Sequence, residues 1–389
     1  MKGEYMRRFL CLIALVLSLL TLSGCMRLTW QSIDCVADPQ ETPISAFYED
    51  YPTAKNPWNM KLCDGILYFA TGDYGSNSGN TPIFAYDTKN ERWIEPFITS
   101  DEALDAFRTV GDTLFAVGND STEEGFRGNY YELTANGWVA HKNLSGAVHV
   151  FDVIDYGGAR FFGIGTDDTS ISPVIRDDGT RRYLPFLKNG ENRLLQEDFD
   201  FSRVYNFFVA DGELYAFFFA PHIDTQKMHT YEFYKYDGES FCYVSTFEDL
   251  PIKFLGVSDG EKSKFLRQNF FTYEFSRGGS AYFTSGFLYK TRDFLNVEKI
   301  PVPGDDVVSD LLCFKGECYV LTFSRNDRAS FANTVWRLND DDSMTKIISF
   351  RTLDAYALSF EYDGDKFYVA LGNRANTEDV GSLCIVNSK

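Results

Sequence analysis

Residues 64–72, DGILYFATG, set a glycine-bearing turn before a run of aromatic and aliphatic residues, and the figure returns six times. The repeats are GDTLFAVG (111–118), GGARFFGIG (157–165), DGELYAFFF (211–219), GGSAYFTSG (278–286), KGECYVLTF (315–323) and DGDKFYVALG (363–372). Asp-Gly and Gly-Gly are the dipeptides of tight hairpin turns, whose central residues need positive φ. The anchors Gly65, Gly111, Gly157, Gly212, Gly279, Gly316 and Gly364 lie 37 to 67 residues apart, the length of four short strands with their loops. Downstream of the anchors, IFAYDTKNERWIEPF (83–97), YYELTANGWVAHKNL (130–144), FYKYDGESFCYVSTF (233–247) and VWRLNDDDSMTKIISF (335–350) read as strand, polar turn, strand. Upstream of each anchor lies a further apolar stretch, such as VYNFFVA (204–210). Seven units of four strands describe an all-β chain, a seven-bladed β-propeller over residues 28–389.

The last unit stops early. LCIVNSK (383–389) aligns with IFAYDTK (83–89), so the chain ends where its final hairpin should turn. An unpaired edge would result unless a strand arrives from elsewhere. LTWQSIDCV (28–36) and PISAFYE (43–49) are the candidates, and an N-terminal strand closing the last blade is expected. An open solenoid is the alternative. In the first unit Tyr86-Asp87 followed by Trp93 resembles a kelch repeat. The paired glycine of that motif is single at Gly72, Gly118, Gly165 and Gly372 and missing elsewhere. The resemblance implies a kelch-like propeller and no particular partner.

The N-terminus carries an address. Lys2, Arg7 and Arg8 precede the apolar run Phe9 to Leu22, which is too short to span a bilayer and built like a signal sequence. Leu22-Ser23-Gly24-Cys25 then resembles a bacterial lipobox, which implies a signal peptide over 1–24, lipidation of Cys25, and a tether at 25–27. The expected location is extracytoplasmic, lipid-anchored to the cell membrane or outer membrane.

Charge narrows the partners. The whole chain has a net charge of −19, and loss of the signal leaves it more negative still. Such a surface repels phosphate backbones, so nucleic acid is excluded and the lipid must supply membrane affinity unaided. Once Cys11 leaves with the signal and Cys25 is acylated, six cysteines remain. Cys313 and Cys318 flank a four-residue turn and are one candidate disulfide; Cys35 and Cys384 are a second, if 28–36 is the closing strand.

The stretches between second and third strands (72–82, 118–129, 165–173, 220–230, 324–334 and 372–381) are long and polar, whereas the first turns are tight. Loops on a rigid scaffold are where function sits. The candidate ligand-binding residues are therefore Asp120, Glu124, Asp167, Asp168, His222, Asp224, Arg325, Arg374 and Asp379, on a rim suited to cationic or hydroxyl-rich groups. His222, Asp224 and His229 share one loop with metal-ligand chemistry, but no spacing brings them together, and neither metal nor cofactor is expected. GSNSG (75–79) lacks the serine of a nucleophile elbow, and Ser343 to Lys346 fits S-x-x-K only by letters, in a hairpin rather than a helix. No catalytic residue is assigned. The leading expectation is a non-enzymatic module binding a protein, peptide or glycan. The alternatives are a carbohydrate-active hydrolase or lyase and an envelope assembly scaffold, since one fold hosts all three.

Overall fold

The Asp64-Gly65 turn has φ values of 51° and 80°, and Gly157-Gly158 has 58° and 79°, the left-handed pair that lets a two-residue hairpin follow the strand twist. These turns seed antiparallel meanders in a computed structural model of the chain. The structure describes residues 35–36, 38–51, 53–73, 78–123, 128–168, 170–195, 199–221, 230–247, 272–284, 286–327, 330–373 and 379–388. After β1 (Cys35–Val36) and the short helix α1 (Pro43–Phe47), the first meander is β2 (Asn59–Cys63), β3 (Ile66–Ala70), β4 (Pro82–Asp87) and β5 (Arg92–Ile98). The second is β6 (Asp101–Val110), β7 (Thr113–Ser121), β8 (Gly128–Thr134) and β9 (Gly137–Leu144). The third is β10 (His149–Tyr156), β11 (Ala159–Thr166), β12 (Val174–Asp177) and β13 (Arg181–Tyr183).

A small insertion follows, β14 (Phe186–Lys188) and β15 (Glu191–Asn192). The fourth meander is then β16 (Ser202–Ala210), β17 (Glu213–Ala220), β18 (Thr230–Tyr236) and β19 (Phe241–Thr246). The fifth is β20 (Thr272–Arg277), β21 (Ser280–Thr284), β22 (Leu288–Thr291) and β23 (Glu298–Ile300). The sixth is β24 (Val307–Phe314), β25 (Glu317–Asp327), β26 (Ser330–Leu338) and β27 (Met344–Leu353). Three strands end the chain, β28 (Tyr356–Tyr362), β29 (Lys366–Gly372) and β30 (Leu383–Asn387).

The second strands are buried on both faces, which is why a strand such as β17, ELYAFFFA, reads as an unbroken apolar run. One cluster packs Leu104 and Phe107 against Ala70 and Ile83, and another packs Phe207 and Phe218 against Phe161 and Val174. The order returns to its start: Tyr368, Ala370 and Leu383 share a core with Leu67, Phe69 and Phe84. Neighbours are also bridged where a second strand ends beside the next inner strand, at Gly72↔Ala103, Asn119↔His149, Gly165↔Arg203 and Gly286↔Val308. The chain is an all-β propeller.

Polar residues on the inner strands tie the meanders together. β6, β10, β16, β20, β24 and β28 each carry a register shift, and a shift of this kind frees a backbone group and increases twist. Asp152 Oδ2 accepts from the Phe207 backbone N–H at 2.7 Å, and Asp310 Oδ2 from Phe360 N–H at 3.0 Å. Asn59 Oδ1 accepts from Phe107 N–H at 3.0 Å. At the seam between first and last meanders, Ser359 Oγ donates to the Pro57 carbonyl at 2.9 Å and Lys61 pairs with Glu361 at 3.1 Å.

The N-terminal segment departs from expectation. The stretch 43–49 holds a helix, capped by Thr42 Oγ1 accepting from Ile44 N–H, because Pro43 at the first position favours a helical turn over a ladder. Cys35–Val36 pairs in parallel with Phe350–Arg351 of β27, the outer strand of the sixth meander rather than the last. Among the described residues its backbone pairing with the last sheet is a single antiparallel bridge, Gln40↔Leu383. Thr42 Oγ1 also donates to Gly381 O, and Ile44 and Tyr48 are fully buried against the first meander. The segment is a strap across three sheets instead of a fourth strand. Residues 28–34, and with them most of the first candidate strand, lie outside the described residues.

β14 pairs in parallel with β19 and extends the fourth sheet by a strand that the repeat pattern does not contain. Glu232 holds this insertion in place, accepting from Arg193, Lys188 and Tyr234 in a buried network. Cys313 and Cys318 form a disulfide, whereas the Cys35–Cys384 bond is not formed.

Candidate functional site

At the loop end of the second, third and fourth meanders, where their strands merge into one continuous sheet, a group of polar side chains is drawn out of water. Gly118 makes room for the first of them. A Cβ there would lie 2.5 Å from the Asp101 carboxylate, which is fully buried. Asn129 Nδ2 and Tyr131 OH donate to Asp101, yet burial outweighs them and pushes its carboxyl up to about 7.

The next strand end holds Asp120 in the left-handed region, φ 52°. Its Oδ1 lies 3.3 Å from His149 Nδ1. The other ring nitrogen, Nε2, faces the Arg203 guanidinium at 3.3 Å, and Arg203 NH1 donates to Tyr205 OH at 3.2 Å. A guanidinium only donates, so Nε2 accepts and the imidazole proton sits on Nδ1, toward Asp120. Burial, then the Arg203 charge, hold His149 well below the usual imidazole range. Burial raises the Asp120 carboxyl to about 6, with Arg203 opposing the shift. Glu102 is raised as well, first by burial and then by the carboxylates of Asp120 and Asp73.

Aromatic rings frame the guanidinium: Arg203 lies 4.2 Å from the Phe201 ring centre and 5.6 Å from that of Phe151. Gly165 lets the imidazole in, since a Cβ there would stand 2.6 Å from His149 Cδ2. Beside them Asn119 is fully buried, and neither of its amide atoms has a hydrogen-bond partner among the described residues. A buried amide left without partners costs a few kcal/mol, about 1–3 each, unless a bound molecule satisfies it.

The candidate residues expected from sequence are scattered by comparison. Asp120 belongs to this group, as a strand residue of β7 and not a solvated loop residue. Asp167 and Asp168 are exposed on the third meander, where Asp168 accepts from Ser170. Arg325 is exposed and lies within β25, because β25 and β26 extend to Asp327 and Ser330 and convert the expected loop into a hairpin. The Asp379 carbonyl accepts from Ser382 on the last meander. Glu124, His222, Asp224, Arg374 and Cys25 lie outside the described residues. Trp58 and Phe331, loop-proximal aromatics, are core residues of one cluster with Phe323 and Tyr356. His149, Arg203, Tyr205 and Asn119 escaped the sequence reading because they sit at strand starts and ends. A histidine opening an apolar run, HVFDV (149–153), was the signal available.

No family profile and no curated protein sequence matches the chain. Solved structures do resemble it. The β-propeller domain of Cps50 (Swd1) from Myceliophteria thermophila is 8% identical with a TM-score of 0.49, covering 85% of this chain and 96% of that one. The β-propeller domain of the Trilobed protease from Pyrococcus furiosus is 10% identical, TM-score 0.46, covering 85% and 94%. The polysaccharide lyase Uly1 is 10% identical, TM-score 0.46, covering 87% and 91%. No residue role passes from them to this chain.

Proposed function

We propose that the chain is an envelope lipoprotein, anchored through Cys25, whose seven-bladed kelch-like propeller binds a protein, peptide or glycan at the loop end of blades two to four. One observation carries the reading: Asp120, His149, Arg203 and Tyr205 form a connected polar chain, framed by Phe151 and Phe201, beside the unpartnered amide of Asn119. Burying so many polar groups where three strand ends meet is costly for folding alone, and a ligand offsets that cost. The exposed Asp167 and Asp168 are proposed as the outer part of the same binding face.

The test is an array screen of peptides and glycans with purified full-length protein, repeated with Arg203→Gln and with the paired loop variant Asp167→Asn/Asp168→Asn. Binding should weaken at least tenfold in Arg203→Gln and by less in the loop variant. A ligand whose affinity responds only to substitutions at the tight turns near Gly65, Gly111 or Gly364 overturns the assignment.

A second reading is a carbohydrate-active enzyme on the same scaffold. The Tyr205 hydroxyl beside the Arg203 guanidinium pairs a proton donor with an anion-binding group within one site. Turnover of a polysaccharide, abolished by both Arg203→Gln and Tyr205→Phe, would select this reading over simple binding.

A further inference from the structure

At the opposite, tight-turn end of the inner strands lies a cavity of about 180 Å³, lined by Lys61, Arg108, Thr109, Ile154, Phe207 and Cys313 among others. Cys313 is therefore presented to it, half-buried, while its disulfide partner Cys318 is only 3% exposed. Cys318 is buried within a cluster with Val320, Trp336 and Leu338, and the half-buried Cys313 packs against the edge of the same cluster. The two sulfurs of one bond thus differ in access.

The bond also has little structural work to perform. Cys313 and Cys318 stand directly opposite in the β24–β25 hairpin, whose strands are paired from Val307↔Phe323 down to Phe314↔Glu317. A crosslink stabilises chiefly by closing a long loop in the unfolded chain, and this one closes a turn of four residues that the ladder already holds. The cavity wall meanwhile carries two cations. Lys61 is held 3.1 Å from Glu361 and Arg108 2.6 Å from Asp152. Each cation offsets a carboxylate that would otherwise repel the thiolate, the attacking species in exchange.

We propose that Cys313–Cys318 is a thiol–disulfide exchange site taking small dithiol reductants through this cavity. A thiolate of the reductant attacks Cys313 Sγ, the Cys313–Cys318 bond breaks, and Cys318 leaves with the electron pair and takes up a proton. The second thiol of the reductant then attacks the mixed disulfide. Cys313 is released as a thiol, and the reductant leaves as its own disulfide, two electrons poorer. The inference is independent of the binding site at the loop end.

The experiment treats folded full-length protein with dithiothreitol, alkylates with iodoacetamide, and maps the peptides, alongside a glutathione arm that captures the mixed disulfide. Expected results are alkylation at Cys313 in the folded protein with a retained cooperative melt, alkylation of the buried Cys318 only after denaturation, and a glutathione adduct on Cys313 alone. Lys61→Gln should slow exchange by about threefold or more, since a removed positive charge slows anion encounter. A purely structural disulfide would not respond to Lys61. Cys313→Ser supplies a control in which native Cys318 should resist iodoacetamide. Reduction only at denaturant levels that unfold the protein, an adduct on Cys318, or a rate indifferent to Lys61 would each overturn the proposal.

Discussion

At the scale of single residues, the decisive feature is a carboxylate placed where water cannot reach it. Asp101 has a folded pKa of about 7 against 3.8 when unfolded, so between those values the folded state holds a proton that the unfolded state has lost. Stability from this group is therefore fully present below about pH 4 and lost as pH rises to about 7, on the order of 4 kcal/mol in the limit of complete burial. His149 acts with the opposite sign, since its lowered pKa costs stability below the imidazole range. Asp101→Asn leaves His149 untouched. The wild-type melting temperature should fall between about pH 4 and 7 relative to that of Asp101→Asn; parallel pH curves would refute the assignment. Gly118→Ala places a methyl group against the same carboxylate and should cost about 1–3 kcal/mol in denaturant unfolding at any pH.

At the scale of elements, the repeated register shift in the inner strands turns isolated sheets into neighbours. Asp310 accepts from both Leu311 and Phe360 N–H groups, one in its own strand and one in the next meander. Asp310→Ala leaves two buried donors without that acceptor and should destabilise by about 2–4 kcal/mol. Hydrogen exchange should rise most in β24 and β28, at Leu311 and Phe360. A loss spread evenly over the molecule would argue against a link between these two meanders.

At the scale of the whole molecule stand the strap and the proposed lipid anchor. The segment 40–48 fills the seam between last and first meanders with Ile44 and Tyr48 and hydrogen-bonds Gly381 through Thr42. Deleting residues 26–50 uncovers that seam, and the melting temperature should drop by about 10 °C or more. A truncated chain as stable as the intact one would show that the strap adds nothing. Cys25→Ser should release the protein from membranes, and mass spectrometry of the mature wild type should find an acylated N-terminus at Cys25. An unmodified N-terminus would remove the anchor from the proposed function.

Several features were legible in the chain alone. Turn chemistry at Asp64-Gly65 and its relatives sets hairpins locally, and apolar runs such as ELYAFFFA need two buried faces, so a propeller follows from nearest-neighbour physics. The Cys313–Cys318 pairing follows likewise from a turn length. The mouth group does not. Asp120, His149 and Arg203 belong to three meanders, and their company depends on which strand end stands beside which. The strap is equally beyond a local reading, because PISAF, an acceptable edge strand by composition, becomes a helix through Thr42 and Pro43 and finds its apolar partners in two distant sheets. Local dihedral preference and burial periodicity are written in consecutive residues. The pKa of Asp101 and the proton on His149 Nδ1 arise from desolvation and charges contributed across sheets, which only the assembled structure decides.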